Sequence, residues 1–364
     1  MSVNTPVTTL DIDLGCVARN LNRVREQMNG QGVICVIKAF GYGTDDIALA
    51  KLLQKQGVEY LAVSCADEGV RLRKAGVKSR IVILNPDNST FDVLGGNHLE
   101  PTLLSIKHLK AYVVWAEKRE RGGLPIHINI NTGMNRLGFE VSDVLEIERI
   151  IVDSDLTVAT VYSHLAGSDD NCFDGKTLKQ LEIFDTVCSK FSFPFKRHIL
   201  NSSGVARFPD HKSDYVRVGI CLLGIDESRE KWGLEPAVSF KTIVSQVRHL
   251  STGEGLSYGF TGAESSDREI AWLPVGYADG YPRCLGNGIG YVFIKGVYAK
   301  SVGRVCMGLL AIDVTGLSVL AGDEVELFGR NLCVMELAKK AETISYELLA
   351  RVHGRVIRTY SGVV

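Results

Sequence analysis

Eight short apolar runs, each followed by a polar or helical stretch, constrain this chain more than any other feature of its sequence. They are VICVIKA (33–39), YLAVSC (60–65), RIVILN (80–85), LEPTLL (99–104), IHININ (126–131), VATVYSH (158–164), HILNSS (198–203) and YVRVGI (215–220). Most are apolar almost throughout, as strands buried on both faces are; a proline weakens the run at 99–104. Segments with helical spacing lie between them, for example Asp46 to Gln56, Asp67 to Ala75 and Lys176 to Ser189. Eight strands alternating with helices over roughly 220 residues predict a (β/α)8 TIM-type barrel, an α/β fold.

After Trp232 the texture changes to strands joined by glycine-rich turns, with helical patterns only at Val334 to Lys340 and near Ser345 to Val352. The expected division is therefore a barrel over 10–232 and a β-rich C-terminal domain over 233–364, which an N-terminal strand within residues 1–12 joins. A chain of 364 residues with 45% hydrophobic and 23% charged side chains can bury a sizeable core. Its 41 basic and 42 acidic residues give a net charge of −1 with no basic stripe, which points away from nucleic acid and toward a small-molecule substrate. The nine cysteines form no CxxC pair and no zinc spacing, so they read as reduced core residues and no metal is expected. With neither a secretory leader nor an apolar run of about 18 residues, the reading is a soluble cytoplasmic protein without a membrane partner.

Barrel active sites sit at the C-terminal ends of the strands. That rim collects Lys38 and Tyr42, Arg136, His164, Asn201 to Ser203, and Arg217 to Ile220. Singly, each has an ordinary reading: Lys38 as a strand-end lysine reaching water, His164 as a satisfied histidine, Arg217 as a surface ion pair, Ser202 as part of a turn. Convergence on one rim favours chemistry. Pyridoxal phosphate catalysis needs such a set: an amine for a Schiff base, small residues and backbone N–H groups after strands seven and eight for the phosphate, and a charged group facing the pyridine nitrogen. SSG (202–204) and VGI (218–220) supply the backbone donors.

The motifs KAFGYG (38–43), NTGMNRLGF (131–139), YSHLAGSDD (162–170), HILNSSG (198–204), RVGICLLG (217–224), LSYGFT (256–261), VGYADGYPR (275–283) and GRVCMG (303–308) resemble, in order and across nearly the whole chain, those of the alanine racemase family of fold-type III pyridoxal phosphate enzymes. The resemblance implies an isomerase that interconverts L- and D-alanine to supply D-alanine for cell-wall precursors. Lys38 would carry the cofactor and act as the base on the D side, and Tyr258, contributed from a partner in a homodimer, as the base on the L side. Tyr42, Ser202 and the backbone of Gly219 and Ile220 would bind phosphate, with Ser203 as the substitute for Ser202 one position on. Arg217 would face the pyridine nitrogen and keep it unprotonated, and His164 would keep the tyrosine acidic. Arg136 and the partner's Met307 backbone would hold the substrate carboxylate, with the partner's Tyr277 lining the entry.

The sequence also departs from the family pattern. Asn129 stands where many members carry a carbamylated lysine, and Asn131 replaces the acidic residue of a DTGM motif, so a bound chloride is the expected anion beside Arg136. Gly308 replaces an aspartate at the entry, and Gly354 stands where some relatives have a phosphate-binding tyrosine. These changes leave serine open as a second substrate. A decarboxylase on the same fold is the alternative, but it would use a glutamate and a cysteine where this chain has Arg217 and Tyr258. A carrier of the cofactor without catalysis would have no need of the second domain.

Overall fold

The computed structural model describes residues 7–28, 30–119, 123–230 and 232–362. Strand β1 (Thr9–Asp13) leads into a helix at Leu14–Gln27, and the eight expected barrel strands follow. They are β2 (Gly32–Val36), β3 (Tyr60–Val63), β4 (Arg80–Ile83), β5 (Glu100–Leu103), β6 (Ile126–Asn129), β7 (Val158–Tyr162), β8 (Lys196–His198) and β9 (Tyr215–Val218). All neighbours run parallel in the order β8-β7-β6-β5-β4-β3-β2-β9. The two ends meet through Asp214 N donating to Arg197 O and Arg217 N to Leu200 O, each at 2.9 Å, which closes the barrel.

Every barrel strand ends one to five residues before the run read from the sequence does, and two differ most. The strand starting at Gly32 stops at Val36, before Lys38. The run at 198–203 straddles the end of β8: the strand begins earlier, at the polar pair Lys196 and Arg197, and Ser202–Arg207 is a short helix whose Gly204 N–H is capped by Asn201 Oδ1 at 2.9 Å. The helices form for local reasons as well. Asp45 accepts from the N–H groups of Ile47 and Ala48, and the helix it caps, Asp46–Lys55, buries Leu49, Ala50, Leu52 and Leu53 against the barrel.

Inside the barrel the two halves differ. Ile34, Tyr60, Ala62 and Val82 make a small apolar cluster on β2 to β4. The other half is polar yet buried, with Glu100, Thr102, His127, Thr160, His198 and Arg217 on β5 to β9.

The C-terminal part contributes β10 (Val238–Ile243), β11 (Gln246–Leu250), β12 (Arg268–Leu273), β13 (Tyr291–Ile294), β14 (Val297–Val302), β15 (Leu310–Asp313), β16 (Glu324–Phe328) and β17 (Ile357–Ser361). With β1 they form a nine-stranded sheet, in which β1 runs antiparallel to β10 and parallel to β17. In β1, β10 and β13 every second residue is buried, as in half-buried strands. Helix Ser345–Ala350 and Arg358 bear on the segment after Lys38: Arg358 donates to Gly43 O at 2.7 Å and to Thr44 O at 3.1 Å.

Not all nine cysteines are core residues. Cys16, Cys35, Cys188 and Cys221 are buried, whereas Cys65, Cys172, Cys284 and Cys333 are exposed, and all nine are free thiols. Among the described residues no helix is long and apolar enough to cross a membrane, and no cluster of side chains suits a metal ion.

Candidate active site

The segment after Lys38 is a single left-handed helical turn rather than a flexible loop. Ala39, Phe40, Gly41 and Tyr42 have φ of 52°, 55°, 66° and 58°. Three of these are L-residues with side chains, each costing about 1–2 kcal/mol in this conformation, so the turn must be held. It is held by Gly41 N to Ile37 O at 3.0 Å, Gly43 N to Ala39 O at 2.8 Å, and the Glu68 carboxylate, which accepts from Ala39 N and Ser64 N at 2.7 Å each. The turn sets Lys38 and Tyr42 in the wall of one cavity of about 630 Å³ at the C-terminal mouth.

The same cavity is lined by Arg136, His164, Ser202, Arg217 and Gly219. Burial first, then the charge of Arg136, holds the Lys38 amine below its usual value of 10.5; Glu68 opposes this and Arg217 adds to it. Arg217, 5% exposed, donates through Nη2 to Ser163 O at 2.6 Å and His164 Nδ1 at 3.1 Å, and through Nη1 to His198 Nδ1. Of the three Arg217 guanidinium nitrogens, Nε alone has no hydrogen-bond partner among the described residues. Burial lowers Arg217 to about 10, so it stays cationic at neutral pH. His164 is held well below its usual 6.5 by burial and then by Arg217, Arg136 and Lys38, so it is a neutral ring.

A polar cradle lies beside the turn. Gly219 N donates to Ser202 Oγ at 3.3 Å, and a Cβ on Gly219 would stand 2.1 Å from the Tyr42 hydroxyl, so only glycine lets that hydroxyl approach the backbone here. Tyr346 also lines the cavity, its ring edge-on to Tyr42 with centroids 5.8 Å apart. Sequence reasoning passed over Tyr346, which sits in a TISY motif whose helix packs on the turn. It passed over Glu68 too, for which a single carboxylate in a helix gives no signal. Ile220 follows Gly219 but its side chain is buried in the core.

Arg136 forms no ion pair among the described residues. Asn129 lines the cavity near it, donating to Leu137 O at 3.4 Å. Asn131 is committed locally: it donates to Asn135 Oδ1 and Glu140 Oε1 and accepts from Gly133 N and Asn135 N.

Tyr258, Tyr277 and Met307 are not brought to this cavity. They are 71%, 43% and 61% exposed and lie on neighbouring loops of the second domain, tied by Tyr277 N to Cys306 O at 3.1 Å, Ala278 N to Met307 O at 2.9 Å, and Ser257 Oγ to Cys306 Sγ at 3.4 Å.

A closed parallel barrel with a half-buried amine at its mouth, set among arginines and a neutral histidine and backed by a β-rich domain, is the arrangement of an enzyme with a small charged substrate. Residues 12–227 match the family model of the alanine racemase N-terminal domain and residues 237–360 that of the alanine racemase C-terminal domain. The chain is 34% identical to the alanine racemase of Halothermothrix orenii, over 99% of this chain and 98% of that one. It is 35% identical to that of Carboxydothermus hydrogenoformans, over 96% and 98%. Among solved structures it is similar to the alanine racemase from D-cycloserine producing Streptomyces lavendulae (TM-score 0.93, 26% identity, 99% and 98% covered). It is also similar to the Bartonella henselae alanine racemase with covalently bound pyridoxal phosphate (TM-score 0.91, 25% identity, 98% and 100% covered). The chain belongs to the alanine racemase family, and its reaction is an isomerisation of an amino acid.

Proposed function

We propose that this protein interconverts L- and D-alanine with pyridoxal phosphate, using Lys38 on one face of the substrate and the partner subunit's Tyr258 on the other. The observation that carries the reading is the meeting of Lys38, Arg217 and the Tyr42–Ser202–Gly219 cradle in one cavity. These residues fit the cofactor: the amine is held below its usual value, Arg217 keeps an unspent Nε donor for the ring nitrogen, and Tyr42, Ser202 and the backbone at Gly219 and Ile220 offer donors for the phosphate. When bound, the cofactor supplies an electron sink for the pair left behind when the α-proton is removed.

The chain's own residues then do the proton work. One base takes the α-proton from one face while its opposite returns a proton to the other, so configuration inverts with no net change of atoms. Arg217 donates a hydrogen bond but does not give up its proton, which limits how strongly electrons are withdrawn and favours reprotonation over decarboxylation. His164, neutral and bonded to Arg217, positions the partner's tyrosine. Arg136 and the partner subunit's Met307 hold the substrate carboxylate, and the partner subunit's Tyr277 lines the entry. The exposure of Tyr258, Met307 and Tyr277 on adjoining loops supports a homodimer with shared sites.

A chloride between Asn129 and Arg136 is proposed to supply the charge that no described carboxylate gives Arg136; bromide-grown crystals lacking an anomalous peak there would remove it. We take 10–232 as the cofactor-binding unit, with 233–364 and the N-terminal strand as the second. We place the protein in the cytoplasm because all nine thiols are free, and its product in cell-wall precursor synthesis.

The test is racemisation of L-alanine and L-serine side by side by the cofactor-loaded protein, with Lys38→Ala and Tyr258→Phe as controls. Alanine turnover that falls at least about 1,000-fold in both variants is expected; serine turnover comparable to alanine would assign the wider specificity to the entry at Gly308. A protein that binds the cofactor and racemises neither amino acid would overturn the reading in favour of a decarboxylase.

A further inference from the structure

A continuous chain of hydrogen bonds crosses the barrel interior from Arg217 to the opposite mouth. Arg217 Nη1 meets His198 Nδ1; His198 Nε2 lies 3.0 Å from Thr160 Oγ1; Thr160 Oγ1 lies 2.7 Å from His127 Nδ1; and His127 Nε2 lies 3.0 Å from Glu100 Oε2. Glu100 is gripped from the far side by Arg80, with Nε on Oε1 at 2.6 Å and Nη2 on Oε2 at 2.9 Å. Thr160 and His127 are fully buried, and His198 and Glu100 are 2% and 6% exposed.

The donors can be counted along this chain. Arginine only donates, so His198 Nδ1 must accept, and the neutral ring carries its proton on Nε2 and donates to Thr160. The threonine hydroxyl then passes its own proton to His127 Nδ1, leaving His127 Nε2–H to donate to the carboxylate. Every bond runs the same way, from Arg217 to Glu100, and each member's choice is forced by the two ends. Burial, followed by the charge of Arg217, favours the neutral form of His198, as this count requires.

We propose that Glu100 is a positioning residue for Arg217: across the barrel it fixes both histidines as neutral Nε2–H tautomers and so holds the guanidinium in the orientation that leaves Nε for the cavity. This rests on the reading that Arg217 faces the reacting ring. Remove the acceptor at Glu100 and only the Arg217 end still sets the direction of the chain, with nothing at the far end to hold it. If it reverses, His198 presents an N–H to Arg217, donor against donor, and the guanidinium must shift.

The experiment uses the cofactor-loaded protein labelled with ¹⁵N-histidine, in wild type, Glu100→Gln and Thr160→Val, with Thr160→Ser as the conservative variant. In Glu100→Gln the arginine claims the amide oxygen and turns the amide nitrogen toward His127, which reverses the chain; Thr160→Val cuts it while sparing the Arg80–Glu100 pair should Glu100→Gln fold poorly. The ring signals of His127 and His198 are expected to report Nε2–H tautomers in wild type and Thr160→Ser, and His198 is expected to change in the other two. Alongside, kcat is expected to fall about 10- to 100-fold with KM within about twofold, and to recover in Thr160→Ser. A wild-type spectrum with either ring as the Nδ1–H form or as imidazolium overturns the proposal, as do unchanged His198 signals and kcat in Thr160→Val. A protein without racemase activity whose His198 tautomer still switches when the chain is cut sinks the functional reading and leaves the relay standing.

Discussion

Arg217 shows how a buried charge is kept without a carboxylate beside it. Its Nη1 and Nη2 donors go to carbonyls and to two histidines that accept only while neutral. That arrangement has a consequence for stability. His198 and His164 sit well below their usual 6.5, from burial first and from Arg217 second, whereas the unfolded chain titrates at that value. Below about pH 6.5 the unfolded state therefore binds protons that the folded state refuses, so stability falls as pH drops, by about 1.4 kcal/mol per pH unit for each such histidine. Urea unfolding between pH 7 and pH 5 is expected to show this slope, and His198→Asn to flatten it; equal midpoints across the range would contradict it.

At the level of elements, the left-handed turn at 39–42 is a costly local feature, with three side-chain-bearing residues at positive φ, and it sets Lys38 and Tyr42 in one cavity wall. Ala39 is exposed and has φ of 52°, so Ala39→Gly is expected to raise stability, by up to about 1 kcal/mol, measured as a shift in the urea midpoint. A loss of stability would mean that the alanine methyl is not strained there. The handedness of this turn was not legible in the sequence, since Ala39 and Phe40 carry no mark of positive φ and Gly41 with Gly43 reads equally as a loop. The strands were legible because apolar runs buried on both faces leave an unbroken pattern. The relay was partly written there too: Glu100, Thr160 and Arg217 are polar residues set among apolar neighbours, whereas His127 and His198 lie in runs that carry other polar residues. What the sequence could not say is that all five point inward and touch, because that depends on the register between strands far apart in the chain.

Taken together, the two domains make one demand of assembly. The cavity holds Lys38, Arg136 and Arg217, while Tyr258 and Met307 stand exposed on the second domain, so the site proposed above takes its residues from two subunits. Family motifs placed these residues in the sequence; only the closed barrel and its attached sheet show that one chain does not bring them together. The direct measurement is subunit complementation: Lys38→Ala and Tyr258→Phe proteins, each inactive alone, are mixed, dissociated and reassembled. Random pairing makes half the dimers mixed, each with one site carrying both an intact Lys38 and an intact Tyr258, so alanine racemisation is expected to recover to about a quarter of wild type. Activity that stays at the level of the separate variants, in dimers shown to have exchanged, would contradict a site shared between subunits.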